Sequence, residues 1–163
     1  MRKLKISVIY LFISSVLLLV VSSCKSSLNQ SFTYEIPSAI WEINDPMKFS
    51  FEINNIKKSY NLFVIVVNSE DYSTDNIWLF SQMISPKGHI FSDTLMYYIA
   101  DDKGKWYGNK KGNLISNKFI YKSTIRFVEP GIYQFVMMHG MRANQLPKIS
   151  EIGFVIEEAE TEK

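Results

Sequence analysis

Met47 to Ile53 alternates apolar and polar residues without a break: Met47, Phe49, Phe51 and Ile53 against Lys48, Ser50 and Glu52. A side-chain period of two places one set on each face of an extended strand, and it cannot give a helix one apolar face. This segment therefore specifies a half-buried β-strand. Phe32-Thr33-Tyr34-Glu35-Ile36 repeats the pattern in brief. Tyr60 to Val67 is dominated by β-branched and aromatic residues, which suits a central strand covered on both faces. Further strands are expected at Ile77–Ile84, Ile90–Ala100, Leu114–Tyr121, Thr124–Val128, Ile132–Met138 and Ile152–Ile156.

Turn chemistry separates these runs. Ser85-Pro86-Lys87-Gly88 has Pro and Gly where a type I turn favours them. Glu129-Pro130-Gly131 suits type II, with glycine at the positive-φ position. Many short strands with turns about every ten residues indicate an all-β protein, a β-sandwich of jelly-roll or immunoglobulin-like topology in a single domain. No amphipathic helix is evident after the N-terminal segment, and residues 142–150 are expected to hold one irregular turn.

The N-terminus follows a different logic. Arg2, Lys3 and Lys5 precede Ile6 to Val21, where 13 of 16 residues are apolar and none is charged. Val21-Ser22-Ser23-Cys24 follows. A basic start, a short apolar core and small residues before a cut site describe a secretory signal peptide. The last four residues resemble a bacterial lipobox, in which the cysteine becomes the lipidated first residue of the mature protein. Cys24 is the single cysteine of the chain, so an internal disulfide framework and a multi-cysteine zinc site are excluded. The expected organisation is a lipoprotein signal peptide over 1–23, a lipid-anchored tether over 24–31, a sandwich over 32–157 and a flexible tail over 158–163. Lys25 to Ser31 would reach only about 25 Å when extended. Residues 1–23 hold three basic and no acidic residues, so their removal leaves 15 basic against 16 acidic and a net charge of −1. The case for a nucleic-acid partner disappears with the signal segment.

Catalytic patterns are absent. There is no H-E-x-x-H, G-x-S-x-G or P-loop. His89 and His139 lie outside any metal-ligand spacing, and no cofactor is implied. His89 is expected in an exposed loop. Gly104, Gly108 and Gly112, interspersed with lysines, read as a hairpin loop rather than a phosphate cradle. Glu70, Asp71, Asp75, Asp93, Asp101 and Asp102 are explained by turn formation. Trp78 lies in an apolar run and is expected in the core. Trp106 and Tyr107 sit among glycines and lysines, so at least one of them is expected at the surface, as a binding platform for a protein or a glycan. Arg142 is either a structural ion pair or carbonyl cap at the sheet end, or a partner-binding residue.

Three segments, Tyr60–Phe80, Asp93–Gly112 and Gly131–Glu157, together resemble the gliding-motility lipoprotein GldH family of Bacteroidota. The most specific parts are Asp93-Thr94, Gly104-Lys105-Trp106-Tyr107-Gly108 and Met141-Arg142. Val67 is a departure, since an arginine is expected there in many relatives, and a role for that arginine does not carry over. The resemblance implies a small non-enzymatic envelope lipoprotein tied to gliding and to the type IX secretion machinery. Lys25-Ser26-Ser27-Leu28 lacks the acidic residues that resemble a surface-export signal in this phylum. The expected location is therefore the outer membrane, facing the periplasm. Expected partners are the membrane, other envelope proteins and, as the alternative, a glycan.

Overall fold

The computed structural model describes residues 28–159. The expected signal peptide, residues 24–27 of the expected tether with Cys24 among them, and residues 160–163 lie outside them. Eight long strands make the body: β1 (Asn29–Glu35), β3 (Met47–Ile53), β4 (Tyr60–Ser69), β5 (Asn76–Ile84), β6 (Ile90–Tyr98), β8 (Leu114–Ile125), β9 (Gly131–His139) and β11 (Ile149–Glu158). Three short ones, β2 (Ile40–Glu42), β7 (Asn109–Lys111) and β10 (Gln145–Pro147), trim one end. A 3-10 turn at Pro37–Ala39 is the sole helical element among the described residues.

The long strands form two facing sheets, β1-β11-β4-β8-β7 and β3-β9-β5-β6, with β2 and β10 paired separately. First pairs with last (β1 with β11), second with penultimate (β3 with β9), then β4 with β8 and β5 with β6, all antiparallel. This is one long hairpin rolled up, the jelly-roll order of the two topologies expected. The expected Met47–Ile53 strand is found with its bounds unchanged, and β3 alternates buried and exposed along its whole length.

The core is aromatic. Phe49 and Phe135 face each other across β3 and β9, as do Phe51 and Tyr133. Phe154 reaches them from the opposite sheet, with ring centroids 4.5 Å from Phe135, 5.3 Å from Phe51 and 6.0 Å from Phe49. Such pairs favour tilted or offset packing, each contributing roughly 0.5–1.5 kcal/mol beyond area burial.

Several expectations need correction. β1 begins at Asn29, not Phe32, because Asn29 to Ser31 pair with Glu157 to Val155. β11 runs past the expected Ile152–Ile156 to Glu158, where the flexible tail was expected to begin; the Glu157 and Glu158 carboxylates meet Lys118 and Lys58, each at 2.6 Å. The two strands expected at 114–121 and 124–128 are one strand with bulges, ending at Ile125. Thr124 sits there at φ 53° and donates its amide to the Asn61 side chain at 2.9 Å. The region 142–150 carries β10 rather than a turn alone.

Register fixes the two ends of the sandwich. Asn29 pairs with Glu157, Glu158 with Tyr60, and Tyr60 with Ile125. In the facing sheet Ile53 pairs with Gly131, and Ile84 with both Ile90 and Gln134. Lys87 joins Glu129 at 2.8 Å across the two turns at this end. Gly131 (φ 127°) allows that approach, since a Cβ there would lie 3.0 Å from Pro86. Leu28, the first described residue, is thus at one end with the turns 54–59, 85–89 and 126–130. The loops 36–46, 70–75, 99–113 and 140–148 gather at the other.

Phe154→Ala should remove about 3–5 kcal/mol of stability. Urea unfolding should show this as a lower midpoint at unchanged slope.

Candidate functional site

β5 is apolar on both faces. Ile77 and Leu79 point inward and are fully buried, so Trp78 and Phe80 point outward. Trp78, expected in the core, is instead 43% exposed. Its run of apolar residues concealed the alternation that strand geometry imposes. Trp78 pairs with Met96 and Asn76 with Tyr98 on β6, while Phe80 pairs with Met138 on β9. Trp78, Phe80, Met96 and Tyr98 are all exposed, and together they form an apolar field on the outer face of the second sheet.

The loops at the far end frame this field. Gly140 donates its amide to the Trp78 carbonyl at 2.7 Å, and the Trp78 amide reaches the Met141 sulfur at 3.3 Å. The Phe80 ring lies over Gly140, where a Cβ would come within 3.1 Å of it. Arg142 is therefore held at the edge of the field. It is exposed and makes no ion pair or side-chain hydrogen bond among the described residues, so the expected structural pairing is not formed.

Tyr107 arrives from the other side. Its amide donates to the Ile99 carbonyl at 2.9 Å, one residue beyond Tyr98, and its side chain is 64% exposed. Trp106 bridges to Ala100 and packs half-buried against the core. The two neighbours thus point apart and offer no flat pair for a sugar ring. The loop carrying them is built rather than loose. Asp101 accepts the Lys103 and Lys105 amides at 3.0 and 2.8 Å, the turn role expected of it. Gly108 lies so close to β8 that a Cβ would stand 2.5 Å from the Asn117 side-chain oxygen and 2.6 Å from the Ser116 carbonyl. Asn117 in turn donates to the Asn68 side chain at 2.9 Å and the Val66 carbonyl at 3.1 Å.

Several titratable groups hold the sandwich together. Asp93, expected in a turn, lies in β6 and accepts a hydrogen bond from Tyr121 at 2.8 Å and from Lys122 at 3.0 Å. The Tyr121 hydroxyl, then Lys122, hold its carboxyl below the usual carboxylate range. Burial pushes the Tyr97 phenol up to about 12 and raises that of Tyr121 as well. Tyr97 stacks on Phe119 at 4.4 Å. These contacts clamp β6 to β8 where the two sheets part. Beside the clamp lies an open cleft of about 570 Å³, floored by Leu62, Met83, Phe127 and Tyr133. His89 is exposed, as expected. His139 is fully buried, with its ring 5.4 Å from that of Trp41. Neither of its nitrogens has a hydrogen-bond partner. Among the described residues no group of His, Cys, Asp and Glu side chains could hold a metal.

Comparison with known proteins follows the same lines. A family profile described as GldH lipoprotein matches residues 30–156. "Gliding motility lipoprotein GldH homolog" of Christiangramia forsetii is 30% identical over 161 residues, covering 93% of this chain and 96% of the relative. "Gliding motility lipoprotein GldH" of Flavobacterium johnsoniae is 26% identical over 132 residues, covering 77% and 82%. Among solved structures, the infectious bursal disease virus VP2 subviral particle matches with a TM-score of 0.41 and 15% identity. That match spans 83% of this chain but only 33% of the viral one, and carries no functional argument.

Burial holds His139 below its ordinary pKa, and the nearby backbone of Asn144 and Trp41 only partly offsets this. A histidine kept neutral in the fold but free to charge when unfolded binds fewer protons folded. Stability is then full above the unfolded pKa of about 6.5 and falls as pH drops below it toward the folded value. His139→Phe should abolish that loss, which denaturant midpoints measured between neutral and mildly acidic pH will show.

Proposed function

Because the chain belongs to the GldH lipoprotein family, we propose that it is a non-enzymatic accessory component of the gliding-motility and type IX secretion-associated machinery. In this reading acylated Cys24 anchors it, and the outer face of β5 and β6 docks another envelope protein. The matched relatives are gliding-motility lipoproteins, so a lipid-anchored place in the cell envelope follows from the family. The short run Lys25-Ser26-Ser27-Leu28 has no acidic residue, which supports the outer membrane and a periplasm-facing body.

The observation that carries the docking reading is the field of Trp78, Phe80, Met96 and Tyr98, exposed together on one sheet face. Aromatic and methionine side chains are enriched at protein interfaces. Large exposed apolar patches mark interaction sites, because leaving them in water is costly. Arg142 and Tyr107 at its margins supply a cation and a phenol, both suited to the rim of a protein contact.

Two measurements test the reading. Cys24→Ala should lose fatty-acid labelling and leave the membrane fraction; unchanged labelling would overturn the anchor. Cross-linking in cells should recover an envelope protein of the motility or secretion machinery with the parent chain. Trp78→Ser with Phe80→Ser should lose it while thermal unfolding stays cooperative, since a buried anchor residue contributes about 2 kcal/mol or more, roughly thirtyfold in affinity. Equal recovery with the double variant would remove this face from the proposal.

A further inference from the structure

The end of the sandwich where the tether arrives carries its own exposed apolar cluster. Val128 is 79% and Ile132 62% exposed, and Ile90 and Phe91 each exceed half exposure. Ile56, in the turn between β3 and β4, is exposed as well. They come from three separate turns or strand ends, brought together by the register of both sheets and the Lys87–Glu129 contact. The open cleft begins here, with the exposed Phe91 and Val128 among the residues that line it.

Charge at this end is arranged around the cluster. Glu129 and Glu158 are each paired with a lysine. Arg126 and Lys57 make no ion pair among the described residues, and Arg126 meets only the Ser59 hydroxyl, at 3.4 Å. Glu52 is the carboxylate here left without a lysine partner. Exposed aliphatic and aromatic side chains with flanking cations fit the boundary between headgroups and acyl chains.

The chain length outside the structure names the occupant. Four residue steps separate Cys24 from Leu28, a reach of at most about 14 Å. Leu28 is bound to this end, since its carbonyl accepts the Glu158 amide at 2.8 Å. We infer that this end is a bilayer-docking surface. Ile56, Ile90, Phe91, Val128 and Ile132 insert shallowly into the leaflet that holds the acyl anchor, and the long axis of the sandwich stands away from the membrane. The inference rests on acylation of Cys24. It goes further by stating which surface faces the lipid. The strands run about 30 Å along the body, so the loops bearing Tyr107 and Arg142 are held that far from the leaflet.

The test uses the full lipidated chain in phosphatidylcholine–phosphatidylethanolamine vesicles. Acylation blocks the Cys24 thiol, so Val128→Cys and, at the far end, Asn44→Cys each take a bimane label at one place. Flotation of the parent with the vesicles reports the anchor. Brominated acyl chains are then expected to quench the label at 128 and leave that at 44 bright, and Ile90→Asp with Ile132→Asp should restore emission at 128 without abolishing flotation. Flotation with no quenching at 128, or equal quenching at both places, overturns the docking surface and leaves the anchor intact. Failure of the parent to float overturns the anchor and the inference with it.

Discussion

Phe154 meeting Phe49, Phe51 and Phe135 is the contact on which the structure depends, because it locks the registers of two sheets against each other. A slip of one residue in β11 would carry Phe154 to the outer face and bring Gly153 or Val155 inward. Every outward-facing residue is defined by what that aromatic layer draws inward. Trp78 and Phe80 are exposed because Ile77 and Leu79 on the same strand are committed to the core. The jelly-roll connection adds the second constraint. Since first and last strands pair, the start of β1 and the end of β11 must share one end of the body.

The molecule has three chemically different surfaces as a result. One end is aliphatic and next to the tether. One sheet face is aromatic and methionine-rich. The far end is polar, with turns held by Asp101 and by a glycine pressed against β8. The proposed anchoring and docking would use different parts of this division, since a surface turned to lipid is lost to partners. The perturbed groups, Asp93, Tyr97, Tyr121 and His139, each have a packing reason for their perturbation.

The motif segments gain a structural meaning. In Gly104-Lys105-Trp106-Tyr107-Gly108, Trp106 seals the core edge and Gly108 makes room for Asn117, so that Tyr107 is the residue left to face outward. Asp93 at the start of the Asp-Thr pair ties β6 to β8 through Tyr121 and Lys122. Met141 anchors the loop that carries Arg142. Each segment shapes a surface near the far end or the open side of the sandwich.

What the sequence by itself determined was the class of fold. Alternation in β3, the turn residues at 85–88 and 129–131 and the lack of a 3.6-residue period are local properties, and local geometry enforces them. The lipobox-like start and the want of catalytic motifs are equally local. The outward aim of Trp78, the division of Trp106 from Tyr107, the clamp at Asp93 and the ordering of Glu158 were decided only by tertiary structure. An unbroken apolar run carries no record of which alternate set faces a neighbour. The assembly of Ile56, Ile90, Val128 and Ile132 at one end likewise depends on strand order, because residues far apart along the chain become neighbours only when β3, β9, β5 and β6 pair in that order.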